Sequence, residues 1–576
     1  MSKKFKSNLY CEVPISLLFL LLLAIIRAGG VELFQTEPVV CISDGCLRGT
    51  VLQNSVGSTY PAFLGIPFAK PPIGKLRFAN PQPNDPWKGK YDASTTKSAC
   101  IQIVTVLPSP RLYGSEDCLY LNVFMPTLQI RETALLPVMV YIQGGGFLYG
   151  SAQLEQRNPA RFMTWRRVIV VTFQYRLGVF GFLSTGDRSA PGNFGMKDQV
   201  MALRWVKKNI RAFGGDPNRV TIFGESVGGS SVQYQMLSPL SRGLFHRAIS
   251  MGGSDFYSMK GAIGSPLTFA RAQANVVGIE DANELSSAEL VEQLRKVDAY
   301  ELTRSIERLK QWDIHPITMY LPVVEPPGEP ESFLVEDPRA AWRRGAYAAV
   351  PWMTGSIPNE GSIITQTIYK NESLIEDFNA KFVFALPFIL GTSISKEKLT
   401  GLRKRFLKNT PPSKWITKDN YAEITKLFSE AYFQYPMVKN IKQHLANRKN
   451  TSTSVYSFQF RGRYSFSTLL TGSEKSYGLS QADEMIYLFR MQLLFPEFPP
   501  GSPEAEMAQL WVKFIVDFAT QESVDKIGTC YGEKCDVVTF ANSNNRYFLV
   551  SKKLVPGLDE EMYRFWKGFY EEIASY

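Results

Sequence analysis

The chain has 576 residues, 45% of them apolar, 13% aromatic and 20% charged, a balance too apolar for a disordered chain and sufficient to bury a large core. Its formal net charge is +11, yet there is no arginine-rich run, aromatic-flanked basic motif or zinc-finger spacing, which argues against nucleic acid as a partner. The charges read as scattered; they allow a weak, unspecific preference for acidic matrix or membrane surfaces, and ordinary solubility is the favoured reading.

In chain order, Lys3, Lys4 and Lys6 precede a mostly apolar run from Val13 to Ile26 that ends in Ala28, Gly29 and Gly30. A basic start, an apolar middle and a small-residue end describe a secretory signal peptide, residues 1–30, with the mature chain beginning at Val31. The apolar run is shorter than the roughly 20 residues that span a bilayer. No second such run follows, and Glu571–Tyr576 resembles neither a lipid-anchor tail nor a retention signal. The expectation is a secreted, extracellular protein with no transmembrane segment after signal cleavage. Loss of Cys11 with the leader leaves six cysteines, Cys41, Cys46, Cys100, Cys118, Cys530 and Cys535, an even number suited to disulfides in an exported chain. Asn371 and Asn450 each head a sequon and are expected glycosylation sites. Residues 31–576 contain no repeat, low-complexity tract or long linker, so they are expected to form a single domain.

Short apolar runs then alternate with amphipathic stretches. Val138–Ile142, Val168–Phe173 and Val220–Phe223 read as buried strands and Met196–Phe213 as a helix, which implies an α/β fold with a mostly parallel sheet covered on both faces. Directly after the first strand stand Gly144, Gly145 and Gly146, where backbone N–H groups can converge on an oxyanion because no side chain blocks their approach. After the third strand comes Gly224-Glu225-Ser226-Val227-Gly228, the G-x-S-x-G pattern of a nucleophile elbow. Its glycines flank a serine held in a tight, strained turn, and the Val227 N–H is a further oxyanion donor. Near the end, Met507, Leu510, Trp511, Phe514, Ile515 and Phe518 fall at helical spacing and form a core-facing stripe. This chemistry needs no cofactor and no metal.

These features, with "FLGIPFAKPPIGKLRFANPQP" (63–83), "SEDCLYLNVFMP" (115–126), "YRLGVFGFLS" (175–184) and "GLFHRAIS" (243–250), make the chain similar to the type-B carboxylesterase and cholinesterase family, which has the α/β-hydrolase fold. The resemblance implies that Cys100 pairs with Cys118. Cys41, Cys46, Cys530 and Cys535 then allow three pairings, of which the sequence-local ones are favoured. It also implies a catalytic acid at Glu360, in a segment ending Glu-Gly, and a histidine base within the pattern that here reads Gly478 to Phe489. Everything in that pattern fits except the base, whose position is held by Gln481.

The three histidines, His246, His315 and His444, read as structural or surface residues, and Asp483 and Glu484 are expected to point away from the site. An amide does not titrate near neutral pH, so Gln481 is not a competent base. Where a serine-protease triad has been dissected, loss of the base costs about a factor of 10⁶ in turnover, roughly 8 kcal/mol. Gln143, Gln174 and Val227 also depart from the His, Asn and Ala usual in the family. The expected protein is therefore esterase-like but catalytically silent or very weak, acting on a small apolar ester-like ligand or an extracellular protein partner by binding alone. The alternative is an active carboxylic-ester hydrolase that uses a different base.

Overall fold

The apolar runs pair into one ten-stranded sheet in the computed structural model, which describes residues 37–104, 110–131, 133–254, 265–328, 331–447, 453–472, 478–520, 548–550 and 559–571. In chain order its strands are β1 (Thr50–Gln53), β2 (Thr59–Pro67), β3 (Tyr120–Phe124), β4 (Leu136–Ile142), β5 (Ile169–Phe173), β6 (Gly215–Glu225), β7 (Arg247–Met251), β8 (Trp352–Ser356), β9 (Thr453–Phe458) and β10 (Phe548–Val550). They lie in the order β10-β9-β8-β7-β6-β4-β5-β3-β2-β1. Strands β4 to β10 run parallel, and β3, β2 and β1 close one edge antiparallel.

Period-two alternation explains why both faces are covered. In β4, Val138, Val140 and Ile142 enter one core while Met139 and Tyr141 enter the other. Strand β6 repeats the division, with Val220 and Ile222 on the first face and Phe223 on the second. Helices α1 (Phe194–Asn209) and α2 (Val227–Leu237) supply Val200, Leu203, Val206, Val232 and Met236 to the first core. Further along come α3 (Ser362–Tyr369), α4 (Glu372–Leu390), α5 (Lys396–Phe406), α6 (Met485–Leu488), α7 (Pro503–Thr520) and α8 (Glu560–Glu571). The predicted stripe sits on α7: Met507, Trp511, Phe514, Ile515 and Phe518 are buried in the second core, and Leu510 packs at its margin. The helix expected over Met196–Phe213 starts slightly earlier, and its last turn tightens to a 3₁₀ helix (Ile210–Phe213) that ends at left-handed Gly214.

Two disulfides are present among the described residues. Cys100 bonds Cys118, as the resemblance implies. Cys41 bonds Cys46, directly across a short antiparallel pair, Val39–Ile42 with Gly45–Arg48. Cys530, Cys535, Asn450 and the leader lie outside the described residues. No helix among the described residues is long and apolar enough to cross a membrane.

Candidate active site

Ser226 stands where β6 turns into α2, with φ 58° and ψ −129°. That backbone is strained for a residue with a side chain, by an amount of order 1–3 kcal/mol, and its surroundings leave no alternative. A Cβ on Gly224 would come 2.6 Å from the Gly228 backbone and from Ile142 O, and one on Gly228 would collide with Ile142 O. Ser226 N donates to Met251 O at 2.8 Å, which ties the turn to the end of β7.

The glycine loop after β4 runs along this turn. A Cβ on Gly144 would lie 3.1 Å from Ser226 Cβ and 2.5 Å from Glu225 O, so the loop backbone approaches the serine as closely as it does only because residue 144 lacks a side chain. The N–H groups of Gly145, Gly146 and Val227 donate to no acceptor among the described residues. Val227 N–H also opens α2, at the positive end of the helix dipole. Gln143 is buried; its backbone oxygen accepts from Tyr175 Oη at 2.8 Å, while both polar atoms of its side chain lack partners.

Glu360 follows β8, and Gln481 precedes α6. Both meet at Gly252, just past β7, whose φ is 50°. A Cβ there would collide with Glu360 Oε1 and lie 3.0 Å from Gln481 Nε2. The chain thus brings the elbow, Glu360 and Gln481 together around one glycine, with Gly252 following the Met251 carbonyl that holds Ser226 N. The loop carrying Gln481 is fixed by Asp483, which accepts from Ser480 N (2.9 Å), Ser465 Oγ (2.7 Å) and Phe466 N (2.8 Å). Ser362 Oγ on α3 reaches Ser480 Oγ at 3.2 Å.

The Gln481 amide does not face Glu360 as a triad base would. Its Nε2 donates to Glu225 Oε1 at 2.6 Å and to Gly252 O at 3.2 Å. Both neighbours are acceptors, which fixes the amide orientation, and both N–H bonds are spent. Oε1 is left buried without a partner, and the Glu360 carboxyl, with no side-chain partner, has only the Ile357 backbone N–H close enough to favour its charge.

Three buried carboxyl groups lie close enough here to act on one another. Burial pushes Glu225 up to about 7, against the lowering effect of the Gln481 hydrogen bond. Glu360 is raised well above the usual carboxylate range by burial, then by Glu484 and Glu225. Glu484 is raised likewise, by burial and by Glu225. The expectation that Asp483 and Glu484 both point away therefore holds for Asp483 and is corrected for Glu484. The short α6 turn aims Glu484 inward; it is fully buried, and both its oxygens lack hydrogen-bond partners. Glu225 and Glu484 were the residues sequence reasoning missed. The signal available for Glu225 was its place inside the elbow.

The histidines have other neighbours. His315 is buried, 3.3 Å from Thr367 Oγ1 through Nε2 and stacked on Trp312. Burial, then Lys310 and Lys370, pull its pKa down to about 3, so it is neutral. His246 Nδ1 accepts from Val220 N at 3.2 Å. His444 is buried among Trp342, Tyr347 and Trp352. Among the described residues no cluster of His, Cys, Asp and Glu could hold a metal ion.

Residues 36–566 match the sequence profile of the carboxylesterase family. The juvenile hormone esterase of Tribolium castaneum is 36% identical over 504 residues, covering 85% of this chain and 84% of that protein. Venom carboxylesterase-6 of Apis mellifera is 32% identical over 84% of this chain and 86% of its own length. Among solved structures, the juvenile hormone esterase of Manduca sexta with OTFP covalently attached superposes with a TM-score of 0.78 at 27% identity, over 93% of this chain and all of that one.

Proposed function

The chain belongs to the carboxylesterase family, and on that footing we propose that it is a secreted esterase-like protein whose pocket binds a small apolar ester-like ligand without turning it over at an enzyme's rate. In this reading Ser226 is the nucleophile position, Glu360 the acid position, and Gly145, Gly146 and Val227 the oxyanion donors. One observation carries it: the group at the base position is an amide whose two N–H bonds are already given to Glu225 and Gly252. What it has left is a carbonyl oxygen, which can accept a hydrogen bond from a serine hydroxyl but cannot hold its proton and return it to a leaving group. An extracellular protein partner is the other occupant this reading allows.

A second reading, an active carboxylic-ester hydrolase, is favoured by Glu225. Its carboxyl group, pushed up to about 7 beside the elbow, has the proton affinity a general base needs. The two readings separate in one assay, hydrolysis of a p-nitrophenyl ester with Ser226→Ala as control. Binding without hydrolysis supports the first; turnover abolished by both Ser226→Ala and Glu225→Gln supports the second.

Export is part of the proposal. Asn371 caps α4, its Oδ1 accepting from Ser373 N at 2.9 Å and Ser373 Oγ at 3.0 Å, and it is exposed, which leaves Nδ2 accessible to a glycan. Protein recovered from culture medium should begin near Val31 and lose mass on deglycosylation. An intact Met1 refutes signal cleavage.

A further inference from the structure

The reading of the charges as scattered fails in one place. Lys396 to Lys418 holds eight cations (Lys396, Lys398, Arg403, Lys404, Arg405, Lys408, Lys414 and Lys418) against the single anion Glu397, a net +7 out of +11 for the whole chain. Two of the eight are neutralised: Arg405 pairs with Glu430 and Glu561, and Lys418 with Glu372. Lys396, Lys404, Lys408 and Lys414 are exposed and make no ion pair among the described residues.

This segment, α5 and the loop after it, packs along the edge of α4. Trp415 stacks on Phe382 with ring centroids 3.9 Å apart, Arg403 lies 4.4 Å over the Trp415 ring, and Asn379 Oδ1 accepts from Trp415 N at 2.8 Å and Ile416 N at 3.0 Å. Helix α4 is itself apolar on two sides. Ile375, Phe378, Phe382, Ala385, Leu386 and Ile389 face the core. Ala380, Val383, Phe384, Pro387 and Phe388, at i, i+3, i+4, i+7 and i+8, form a second stripe on the solvent side. Val383 is 66% exposed and Phe384 51%, with the Phe384 and Phe388 rings in contact at 4.8 Å.

We propose that this face docks on an anionic phospholipid membrane surface, with Val383, Phe384 and Phe388 entering the headgroup boundary and Lys396, Lys404, Lys408 and Lys414 meeting lipid phosphates. Exposed aromatic and aliphatic side chains beside a strongly basic flank are the combination that an anionic bilayer stabilises from both sides, by apolar burial and by surface potential. A sulfated polysaccharide satisfies the lysines and leaves the apolar stripe in water. A second copy of the chain seated on α4 covers the stripe but brings two sets of exposed lysines, Lys396, Lys404, Lys408 and Lys414, together, which opposes association.

The test is cosedimentation of the secreted protein with vesicles of phosphatidylcholine containing about one-third phosphatidylserine, beside pure phosphatidylcholine vesicles and a heparin column. The anionic vesicles should retain the protein at about 0.1 M salt and release it at about 0.5 M. Reversing Lys404, Lys408 and Lys414 to Glu should lower vesicle binding at least about tenfold. Val383→Ser with Phe384→Ser should lower it several-fold and leave heparin retention unchanged. All five positions are exposed, so unaltered thermal melting verifies that the variants fold. The proposal is overturned if the protein stays in the supernatant at low salt, or if the Val383→Ser/Phe384→Ser variant binds vesicles as the native chain does. Sedimentation showing a dimer that this variant dissociates would assign the face to a second copy instead.

Discussion

On the proposed reading, replacing Gln481 with histidine gives the site a side chain that can take a proton and return it. The variant removes an amide whose Nε2 bonds Glu225 at 2.6 Å and Gly252 O at 3.2 Å, and it places an imidazole beside Glu360, whose carboxyl has no side-chain partner. A ring N–H can donate to that carboxyl, leaving the second nitrogen for Ser226. Restoring a base is worth up to about 8 kcal/mol where a triad has been dissected. Gln143 and Val227 remain unchanged, so we expect a gain of at least about 10³ in p-nitrophenyl ester turnover, or about 4 kcal/mol. The lost hydrogen bond to Glu225 involves a charged or chargeable group and should cost about 1.5–3 kcal/mol of stability, visible as a lower melting temperature. The regained rate should rise with pH as the imidazole loses its proton, and it should vanish in Gln481→His/Ser226→Ala because the two side chains act as one unit. Native turnover above about 1 s⁻¹ would refute the reasoning. So would a folded Gln481→His protein no faster than its Ser226→Ala control.

Stability should depend on pH through the buried carboxyls. Glu225 binds its proton more tightly in the fold, with a pKa raised to about 7 from 4.5, so the folded state carries the extra proton between those values. Stability is then full below about pH 4.5 as far as this group is concerned and falls as pH rises to about 7, by roughly 3 kcal/mol. Glu360 and Glu484 shift in the same direction. Melting followed from pH 5.5 to 8.5 should show the decline, and Glu225→Gln should lessen it by removing one of the three contributions; a melting temperature that climbs over this range contradicts the assignment. Gly252→Ala should destabilise by about 2 kcal/mol or more, since the new methyl strikes Glu360 at a position with φ 50°; equal denaturation midpoints would show that the junction yields. Cys100→Ser with Cys118→Ser opens a loop of sequence separation 18 and should cost about 3 kcal/mol in chemical denaturation.

The layered sheet was legible because its signals are local. Alternation in Leu136–Ile142 and the stripe from Met507 to Phe518 each follow from a single segment. The elbow was legible for the same reason, since Gly224, Ser226 and Gly228 are neighbours in sequence. The direction of the Gln481 amide was not, because it is set by Glu225, 256 residues away. Glu484 escaped too: it was read from a helical direction, and α6 is only four residues long, so a small change in entry angle turns the carboxyl inward. His444 sits in a stretch that reads as polar, and three aromatic side chains from other elements enclose it.

The elbow has a consequence for how such chains are recognised. Gly224 and Gly228 interlock with Ile142 O, and a Cβ on Gly253 would strike Ser226 O, so the turn is the joint at which β4, β6, β7 and α2 are fitted together. Substitutions at those glycines are penalised by folding alone, whatever the pocket does. Position 481 is different: its glutamine gives both amide N–H bonds to Glu225 and Gly252 and is not one of the close backbone contacts that lock the turn. Saturation mutagenesis scored for abundance should therefore mark the joint as the least tolerant part of the site, with position 481 losing only the amide's hydrogen bonds to Glu225 and Gly252. A screen that recognises hydrolases by the elbow is sorting proteins by their masonry, and on the proposed reading the residue that decides turnover lies outside that joint.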